Sequence, residues 1–280
     1  MKRLAVLGHP VAHSRSPAMQ SAALAELGLA EEWSYEAIDV APQDFERLVR
    51  AMPGEGFAGA NVTVPHKEAA LALADTASQA ARQIGAANTL SFDGGGIRAD
   101  NTDAPGLLAA IAALPSAPSG GRALVLGAGG AARAAIWALA RGGADVDLAA
   151  LAVDVWNRTP ARAARAHAEL GGRAELGGGP VEAPRQQDYE LIVNTTSVGL
   201  RGEDPFAELP LREDDFASGQ IVVDMVYGEG LTRLLAAATA AGATTLDGIE
   251  VLVRQGALSL ELWTGGRTAP LDVMRDAARD

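Results

Sequence analysis

The sequence lacks cysteine altogether, although it is 280 residues long. Disulfide frameworks, thiolate nucleophiles and cysteine-ligated metal sites are therefore excluded. Every apolar run falls short of the ~18 residues that a membrane span needs. No run of lysines and arginines is long enough to bind nucleic acid against a net charge of −12. We therefore expect neither a membrane nor a nucleic acid as a partner, whereas a local site still suits a small anionic substrate.

Histidine is scarce as well. The four histidines, at positions 9, 13, 66 and 167, do not have the spacing of metal ligands, so we expect no bound metal. The start of the chain imitates a signal peptide only briefly, because its apolar run ends at Gly8, before the roughly 7–15 residues of such a segment are complete. We therefore expect a cytoplasmic protein.

What the sequence does contain is typical of an α/β protein. Hydrophobic residues make up 48% and charged residues 21%, which is enough for real cores, and the length favours two domains. Short apolar runs alternate with amphipathic stretches on both sides of a linker at Pro115–Gly121. A long helical run, Gly248–Gly265, is expected to return to the first domain. The predicted domains are residues 1–114 with 248–280, and residues 120–247.

The first domain is predicted to contain a mostly parallel sheet, with strands at Leu4–Leu7, Trp33–Ile38, Phe57–Val64, Asn88–Phe92 and Ile97–Ala99. A turn is predicted at Asp93–Gly96. Ser16 and Pro17 predict the N-cap and first position of a helix. A helical segment with a candidate break is predicted from Lys67 to about Ile84.

A glycine-rich turn follows the first predicted strand of the second domain, Ala123–Leu126, and opens a helix. In this context a glycine fingerprint binds a dinucleotide, although a turn that binds nothing is the alternative. Gly127 permits the tight turn, Gly129 lets the backbone approach the pyrophosphate, and the helix N-terminus offers N–H groups to the phosphates. The second domain is therefore predicted to be a Rossmann-type, doubly wound domain. Its binding turn is Gly127, Ala128, Gly129, Gly130 and Ala131.

The kind of dinucleotide depends on the end of the next strand. An NAD site usually has an acidic residue there, which accepts the ribose hydroxyls. Here Asn157, Arg158 and Thr159 end the strand and Arg162 follows. Guanidinium groups at this place suit a 2′-phosphate by charge and bidentate geometry, so NADP is predicted. Asp154 is the opposing signal, because it would fill the acidic role if the strand ended earlier. Residues 144–153 and 171–184, on either side, receive no firm assignment.

Three polar clusters of the first domain stand where a strand ends or a helix begins, which is where open α/β sheets bind ligands. The first contains Ser14 and Ser16, whose hydroxyls and helix N-terminus would hold a carboxylate. The simpler explanation of Ser16 is that it caps the helix, and it is able to do both.

The other two clusters contain further candidate site residues. Asn61 and Thr63 share one face of an apolar strand that leads to Lys67. A lone lysine is usually a solvated charge. The third cluster is Gly85–Leu90, which contains Asn88, followed by Asp100–Asp103; Asp103 is also explained as a helix cap.

Taken together and in their order along the chain, the polar clusters and the glycine turn resemble those of the shikimate dehydrogenase family, and the resemblance extends over essentially the whole chain. The resemblance is carried by Ser14–Pro17, Asn61–Lys67, Gly85–Leu90, Asn101–Asp103, the glycine turn, Asn157–Thr159, Asp224–Tyr227 and Asp247–Gln255. It implies reversible reduction of 3-dehydroshikimate to shikimate with NADPH, in aromatic amino acid biosynthesis. It implies that Lys67 and Asp103 are the catalytic pair. The implied substrate residues are Ser14, Ser16, Asn61, Thr63, Asn88, Asp103, Tyr227 and Gln255, and Met225 and Gly248 are implied to lie near the nicotinamide.

The residue types fit this chemistry. Hydride delivered to a ketone carbon leaves negative charge on the oxygen, and a lysine ammonium supplies both a positive charge and a proton. Three alternatives stay open: a quinate/shikimate dehydrogenase that uses NAD, a noncatalytic ligand-binding regulator on the same scaffold, and, with little support, a metal-dependent enzyme. We expect a small-molecule substrate as the partner, and a monomer or a homodimer.

Overall fold

The computed structural model describes residues 1–94, 96–143, 146, 148–171, 177–228 and 230–280. The chain divides into two compact units. The first comprises Met1–Gly106 with Leu252–Asp280, and the second comprises Leu107–Val251. The predicted return of the C-terminal helices is therefore confirmed. The division falls earlier than the linker at Pro115–Gly121, because the buried Leu107 and Ile111 already belong to the second unit.

Strands and helices alternate along most of the chain. The strands are β1 (Lys2–Gly8), β2 (Trp33–Asp39), β3 (Phe57–Val62), β4 (Thr76–Ala77), β5 (Thr89–Asp93), β6 (Gly96–Asp100), β7 (Arg122–Leu126), β8 (Ala152–Trp156), β9 (Leu191–Asn194), β10 (Ile221–Asp224) and β11 (Thr244–Leu246). The α-helices are α1 (Ser16–Glu26), α2 (Phe45–Ala51), α3 (Lys67–Leu73), α4 (Gln79–Ile84), α5 (Asp103–Ala112), α6 (Gly130–Leu139), α7 (Pro160–Leu170), α8 (Pro205–Glu208), α9 (Arg233–Ala240), α10 (Gly248–Trp263) and α11 (Leu271–Arg279).

The sheet of the first unit has the strand order β2-β1-β3-β5-β6-β4. β1 runs parallel to β2 and β3, and β4 runs parallel to β6. β5 is antiparallel to both of its neighbours. Gly95 of the turn predicted at Asp93–Gly96 lies outside the described residues. The adjacent Gly94 has a φ of +59°, a conformation that favours glycine.

Local details of the first unit differ from the sequence prediction in two places. Ser16 is the first residue of α1 and not its N-cap, which is Arg15, and the Arg15 side chain makes no capping hydrogen bond. The strand predicted to reach Val64 ends at Val62. The expected break between Lys67 and Ile84 is the short strand β4, after which Ser78 caps α4 by accepting a hydrogen bond from the Ala81 N–H.

The sheet of the second unit has the strand order β11-β10-β9-β7-β8 and is parallel throughout. The chain order therefore reverses between β7 and β9, which is the predicted doubly wound arrangement. In such a sheet, ligands bind in the crevice beyond the carboxyl ends of the strands at the reversal. Residues 144, 145, 147 and 172–176, in the two segments without a firm prediction, lie outside the described residues.

Each unit has its own apolar core. Phe45, Met52 and Leu90 are buried in the first, and Leu124 and Ile192 are buried in the second. Because burial of one large apolar side chain contributes about 1.5–3 kcal/mol, these cores hold the sheets that carry the polar clusters. Among the described residues, no helix is both long and apolar enough to cross a membrane.

Candidate active site

Lys67 and Asp103 meet in the first unit. Each is the first residue of its helix, α3 and α5 respectively. Lys67 Nζ lies 2.6 Å from Asp103 Oδ2, and both side chains are only 12% exposed. The Asp103 carboxylate is therefore not a helix cap; Asn101 Oδ1 instead accepts a hydrogen bond from the Ala104 N–H at 3.2 Å. Charge-assisted hydrogen bonds of this length are strong, so the two residues form one tightly coupled pair.

Asn88 orients the second oxygen of Asp103. Its Nδ2 donates to Asp103 Oδ1 at 3.0 Å, while its Oδ1 accepts a hydrogen bond from the Thr102 backbone N–H at 2.7 Å. A reversed amide would place an oxygen against the carboxylate and a nitrogen against the N–H. The amide is therefore held in one orientation, which leaves Asp103 Oδ2 facing Lys67.

Gln255 reaches the same group from α10. Its Oε1 accepts a hydrogen bond from Asn88 Nδ2 at 3.0 Å. Its backbone lies so close to α5 that a Cβ at Gly106 would come within 2.8 Å of Gln255 N. Glycine at position 106 therefore allows α10 to bring Gln255 to Asn88.

Asn61 faces the protein interior and is 6% exposed. Its Oδ1 accepts a hydrogen bond from the Tyr35 hydroxyl at 2.8 Å, and its Nδ2 donates to Ser259 Oγ at 3.0 Å. Both ends of the amide are used inside the protein, so Asn61 supports the residues around it, and its contact with a substrate stays a prediction.

Ser14, Ser16 and Thr63 belong to the same unit as the Lys67–Asp103 pair. The Ser16 backbone N–H donates to Ser14 Oγ at 3.3 Å, so the two serines are adjacent at the start of α1. Thr63 is half-buried and lies four positions before Lys67. Their contact with a substrate stays a prediction.

His66, directly before Lys67, has a structural role. Its ring stacks on Phe45 with the centroids 4.3 Å apart, and its Nε2 lies 2.8 Å from Val40 O. Burial lowers the pKa of His66, so the neutral ring donates its Nε2–H to that carbonyl. Among the described residues, no cluster of three or more metal-ligating side chains occurs.

The glycine turn of the second unit lies where the strand order reverses. Gly127 has a φ of +118°, and a Cβ there would lie 2.5 Å from Thr195 Oγ1, so only glycine fits. A Cβ at Gly129 would meet nothing within 4 Å, so there is open space beside the N-terminus of α6. This space and the unpaired N–H groups of the helix fit the pyrophosphate of a dinucleotide.

Thr195 and Thr196, at the end of β9, were missed from the sequence. Thr195 Oγ1 donates to Leu126 O at 2.6 Å, and Thr196 Oγ1 donates to Asn194 Oδ1 at 2.7 Å. Both stand on the opposite side of the strand-order reversal from the glycine turn. The available signal was the polar run Asn194–Ser197 directly after an apolar strand, the pattern that marked the other clusters.

Arg158 and Arg162 are exposed beyond the carboxyl end of β8. Asn157 Nδ2 donates to Thr159 O at 3.1 Å, which stabilises the bend into α7. Within the described part of the chain, neither of these guanidinium groups has an ion-pair partner. Two unpaired cations at this place fit the 2′-phosphate of NADP.

The opposing signal from Asp154 is wrong. β8 continues to Trp156, so Asp154 lies within the strand, where it is buried. Arg122 Nη2 approaches Asp154 Oδ2 to 2.5 Å. Burial, together with the hydrogen bond to Asp154, raises the pKa of the Tyr189 hydroxyl. The carboxylate is thus engaged within the unit and is not presented to a ribose.

Asp224 holds the turn that follows β10. Its Oδ1 accepts hydrogen bonds from Asn194 Nδ2 at 2.9 Å and from the Val226 N–H at 3.1 Å, and its Oδ2 accepts one from Thr232 Oγ1 at 2.7 Å. These bonds fix the backbone on both sides of Met225. Tyr227 follows directly after this turn.

Met225 and Gly248, both predicted to lie near the nicotinamide, are neighbours in the second unit. A Cβ at Gly248 would lie 2.5 Å from Met225 O, so a larger residue would displace the turn. Tyr227, predicted to contact the substrate, is half-buried two positions further on.

The buried Asp224 predicts a pH dependence of stability. Burial raises its pKa, because desolvation disfavours the charged form. Between the unfolded value of about 3.9 and the higher folded value, the folded protein binds more protons, so the free energy of unfolding falls as the pH rises. We expect Asp224→Asn to lose this fall.

Urea unfolding from about pH 4 to pH 7 measures the effect. Asp214→Asn, which removes an exposed carboxyl of the same unit, is the control and should follow the native protein. A pH dependence in Asp224→Asn equal to that of the native protein would contradict the expectation.

Two family models match the chain. Residues 6–90 match the model of the shikimate dehydrogenase substrate binding domain. Residues 248–279 match the model of the shikimate 5′-dehydrogenase C-terminal domain. The first match contains the candidate site residues Ser14, Ser16, Asn61, Thr63, Lys67 and Asn88, and the second contains Gly248 and Gln255.

Relatives and a solved structure are similar over nearly the whole length. The NADP(+) shikimate dehydrogenase of Mesorhizobium japonicum is 44% identical over 268 residues, which are 95% of this chain and 91% of that protein. That of Thermus thermophilus is 46% identical and aligns with 100% of this chain and 98% of its own length. The crystal structure of Thermus thermophilus shikimate 5-dehydrogenase in complex with NADP(H) and shikimate has a TM-score of 0.85 at 43% identity, with 100% of this chain and 99% of that chain covered.

Proposed function

The chain belongs to the shikimate dehydrogenase family, and we propose that it catalyses the reversible, NADPH-dependent reduction of 3-dehydroshikimate to shikimate. The observation that carries this function is the 2.6 Å contact between Lys67 Nζ and Asp103 Oδ2 in a largely buried setting. An ammonium group so placed is able to give and take the proton that accompanies hydride transfer at a ketone.

Lys67 is the proton donor of the reduction. NADPH, when bound, supplies the hydride that the ketone carbon receives. The Lys67 ammonium stabilises the negative charge that develops on the carbonyl oxygen and transfers a proton to it, which completes the alcohol. Solvent reprotonates the amine. In the reverse direction the neutral amine accepts the hydroxyl proton, and Asp103 keeps Nζ in place throughout.

Short polar side chains bind the substrate. Ser14 and Ser16, at the N-terminus of α1, hold the carboxylate, because helix N–H groups and hydroxyls favour an anion. Thr63, Asn88, Gln255 and Tyr227 supply donors and acceptors to the ring hydroxyls. Such contacts fix the ketone relative to Lys67, and a misplacement of about 1 Å is able to cost roughly a hundredfold in rate.

The second unit binds NADP. The turn from Gly127 to Ala131 receives the pyrophosphate, and the cations of Arg158 and Arg162 receive the 2′-phosphate. Asn157 and Thr159 shape the bend that carries these arginines, and Met225 and Gly248 lie against the nicotinamide.

The domain assignment follows from these roles. We assign substrate binding to the first unit and dinucleotide binding to the second, so residues 107–114 and 248–251 go with the dinucleotide-binding unit and not with the predicted substrate domain. The partners are small molecules, and we propose a cytoplasmic location, as for other enzymes of small-molecule biosynthesis. A mass measurement in solution decides between a monomer and a homodimer.

The test of function mixes the purified protein with shikimate and NADP and follows the absorbance of the reduced nicotinamide. Parallel samples replace shikimate with quinate, and NADP with NAD. We expect rapid reduction with shikimate and NADP alone. Comparable turnover of quinate or NAD would assign the chain to the quinate/shikimate dehydrogenases. Binding of NADP without turnover of either acid would refute catalysis and favour the noncatalytic regulator.

A further inference from the structure

One face of α10 is hydrogen-bonded to three consecutive residues at the start of β5. Gln255, Ser259 and Trp263 are four residues apart and therefore share a helix face. Gln255 Oε1 bonds Asn88 Nδ2 at 3.0 Å, Ser259 Oγ lies 2.8 Å from Thr89 Oγ1, and Trp263 Nε1 donates to Leu90 O at 3.0 Å. We call this set of three bonds the α10 ladder.

The Trp263 ring also packs against β3, at Gly59. A Cβ at Gly59 would overlap the Trp263 ring nitrogen. Glycine at position 59 therefore leaves room for the ring to reach Leu90 O, which fixes the Trp263 end of the ladder.

Ser259 is the centre of the ladder and is completely buried. Besides Thr89, its Oγ lies 3.0 Å from Asn61 Nδ2, 3.0 Å from Thr102 Oγ1 and 3.0 Å from Gln255 O. A backbone carbonyl only accepts hydrogen bonds, so the Ser259 hydroxyl donates its one proton to Gln255 O. The lone pairs of Ser259 Oγ are left for Asn61 Nδ2 and for one threonine hydroxyl.

This assignment of protons limits which hydroxyl groups donate to Asn88. Thr89 Oγ1 and Thr102 Oγ1 each lie 3.2 Å from Asn88 Oδ1. With one threonine hydroxyl donating to Ser259, the other donates to Asn88 Oδ1, beside the Thr102 N–H, or to the first threonine, whose Oγ1 lies 3.3 Å away. Asn88 Nδ2 is thereby kept toward Asp103 Oδ1.

We propose that Ser259 is a positioning residue for the Lys67–Asp103 pair and acts through the two threonine hydroxyls and Asn88. The proposal rests on the proposed function of that pair. Without the Ser259 hydroxyl, Asn61 Nδ2 and one threonine hydroxyl lose their buried acceptor and compete for the remaining ones. The hydroxyl bonds around Asn88 then rearrange, so Asn88 and with it Asp103 are held less firmly against Lys67.

The experiment is a double-mutant cycle between Ser259→Ala and Asn88→Ala, measured as kcat/KM for shikimate with NADP. We expect Ser259→Ala alone to lower kcat/KM about tenfold, the equivalent of one buried hydrogen bond, with the KM for NADP unchanged. In the Asn88→Ala background the same substitution should change kcat/KM less than about twofold, because the Asn88 amide, through which Ser259 acts on Asp103, is already absent.

Thr264→Val is the matched control. Thr264 Oγ1 donates to Leu260 O at 2.8 Å, the same backbone bond, four residues back, that Ser259 makes to Gln255 O. Loss of that bond should leave kcat/KM at the native value. Equal losses in Thr264→Val and Ser259→Ala would reduce the effect to helix stability and overturn the proposal.

Ser259→Cys tests whether a loss of activity is caused by misfolding. It keeps the side-chain size and replaces the hydroxyl by a weakly bonding thiol, and because the chain has no other cysteine, protection of this thiol from a thiol reagent reports folding of the site. We expect a protected thiol and a lowered kcat/KM. A protected thiol with native kcat/KM, or a tenfold loss that persists in the Asn88→Ala background, would overturn the positioning role. Absence of shikimate turnover by the native protein would refute the proposed function instead.

Discussion

Replacing Lys67 by alanine is expected to lower kcat for shikimate oxidation about a thousandfold, the scale on which loss of a general acid–base group acts. The reason is that no proton acceptor then faces the substrate hydroxyl, and the positive charge beside its oxygen is lost. Binding of NADP should stay near the native value, because the residues proposed to hold it belong to the second unit. Steady-state rates and a fluorescence titration with NADP measure the two quantities separately.

Lys67→Arg separates charge from proton transfer. The guanidinium keeps a cation beside Asp103 but holds its proton at every accessible pH. We expect kcat to fall nearly as far as in Lys67→Ala. The melting temperature should stay closer to the native value, since the buried Asp103 carboxylate keeps a partner. Substantial activity in Lys67→Arg would mean that the charge suffices and that Lys67 is not the proton carrier.

Lys2 supplies the matched control for both variants. It and Lys67 are the two lysines among the 23 lysines and arginines of the chain. The Lys2 ammonium lies over the Trp33 ring, 4.7 Å from its centroid, and not beside a carboxylate that the site uses. Lys2→Ala should therefore turn over shikimate like the native protein, and a loss equal to that of Lys67→Ala would contradict the catalytic assignment.

Local sequence pattern alone did not predict the Lys67–Asp103 pair. A single lysine after a strand is usually solvated, and an aspartate at a helix start is usually a cap. The two side chains meet because β3 and β6 both pair with β5, which places Lys67 and Asp103 at one edge of the sheet. Such long-range pairing is not readable from local periodicity, and the resemblance to a family supplied it instead.

The fold was predictable where a local signal decides it. The glycine turn of the second unit was predicted from Gly127 between a strand and a helix, and the structure contains both the strand and the helix. The antiparallel β5 was not predicted, because a short apolar run does not reveal its direction. The α10 ladder was missed for a related reason: the four-residue spacing of Gln255, Ser259 and Trp263 indicates a shared face but not the strand that it touches.

The choice between Asp154 and Arg158 was open because the sequence leaves the end of a strand uncertain by a few residues. The register of β7 and β8 decides it, since Leu126 pairs with Trp156. The residues beyond this pair are Asn157 and Arg158, whereas Asp154 is opposite Leu124 and inside the sheet. A shift of three positions would have placed the carboxylate at the ribose and favoured NAD.

The double variant Arg158→Ala with Arg162→Ala is expected to raise the KM for NADP about a hundredfold, because two charge-assisted contacts to the 2′-phosphate are lost. The KM for NAD, which lacks that phosphate, should change less than about threefold. kcat with saturating cofactor should stay near the native value, since neither arginine belongs to the Lys67–Asp103 pair. The preference for NADP over NAD would then nearly disappear.

Arg165→Ala tests whether position matters or merely the number of cations. Arg165 lies on the same helix, α7, but pairs with Glu169 at 3.3 Å, so its loss should leave the KM for NADP unchanged. Added salt should weaken native binding of NADP more than that of NAD, because exposed charge pairs are screened, and this difference should vanish in the double variant. An equal rise in the KM for both cofactors would mean that the arginines maintain the fold of the site and do not recognise the 2′-phosphate.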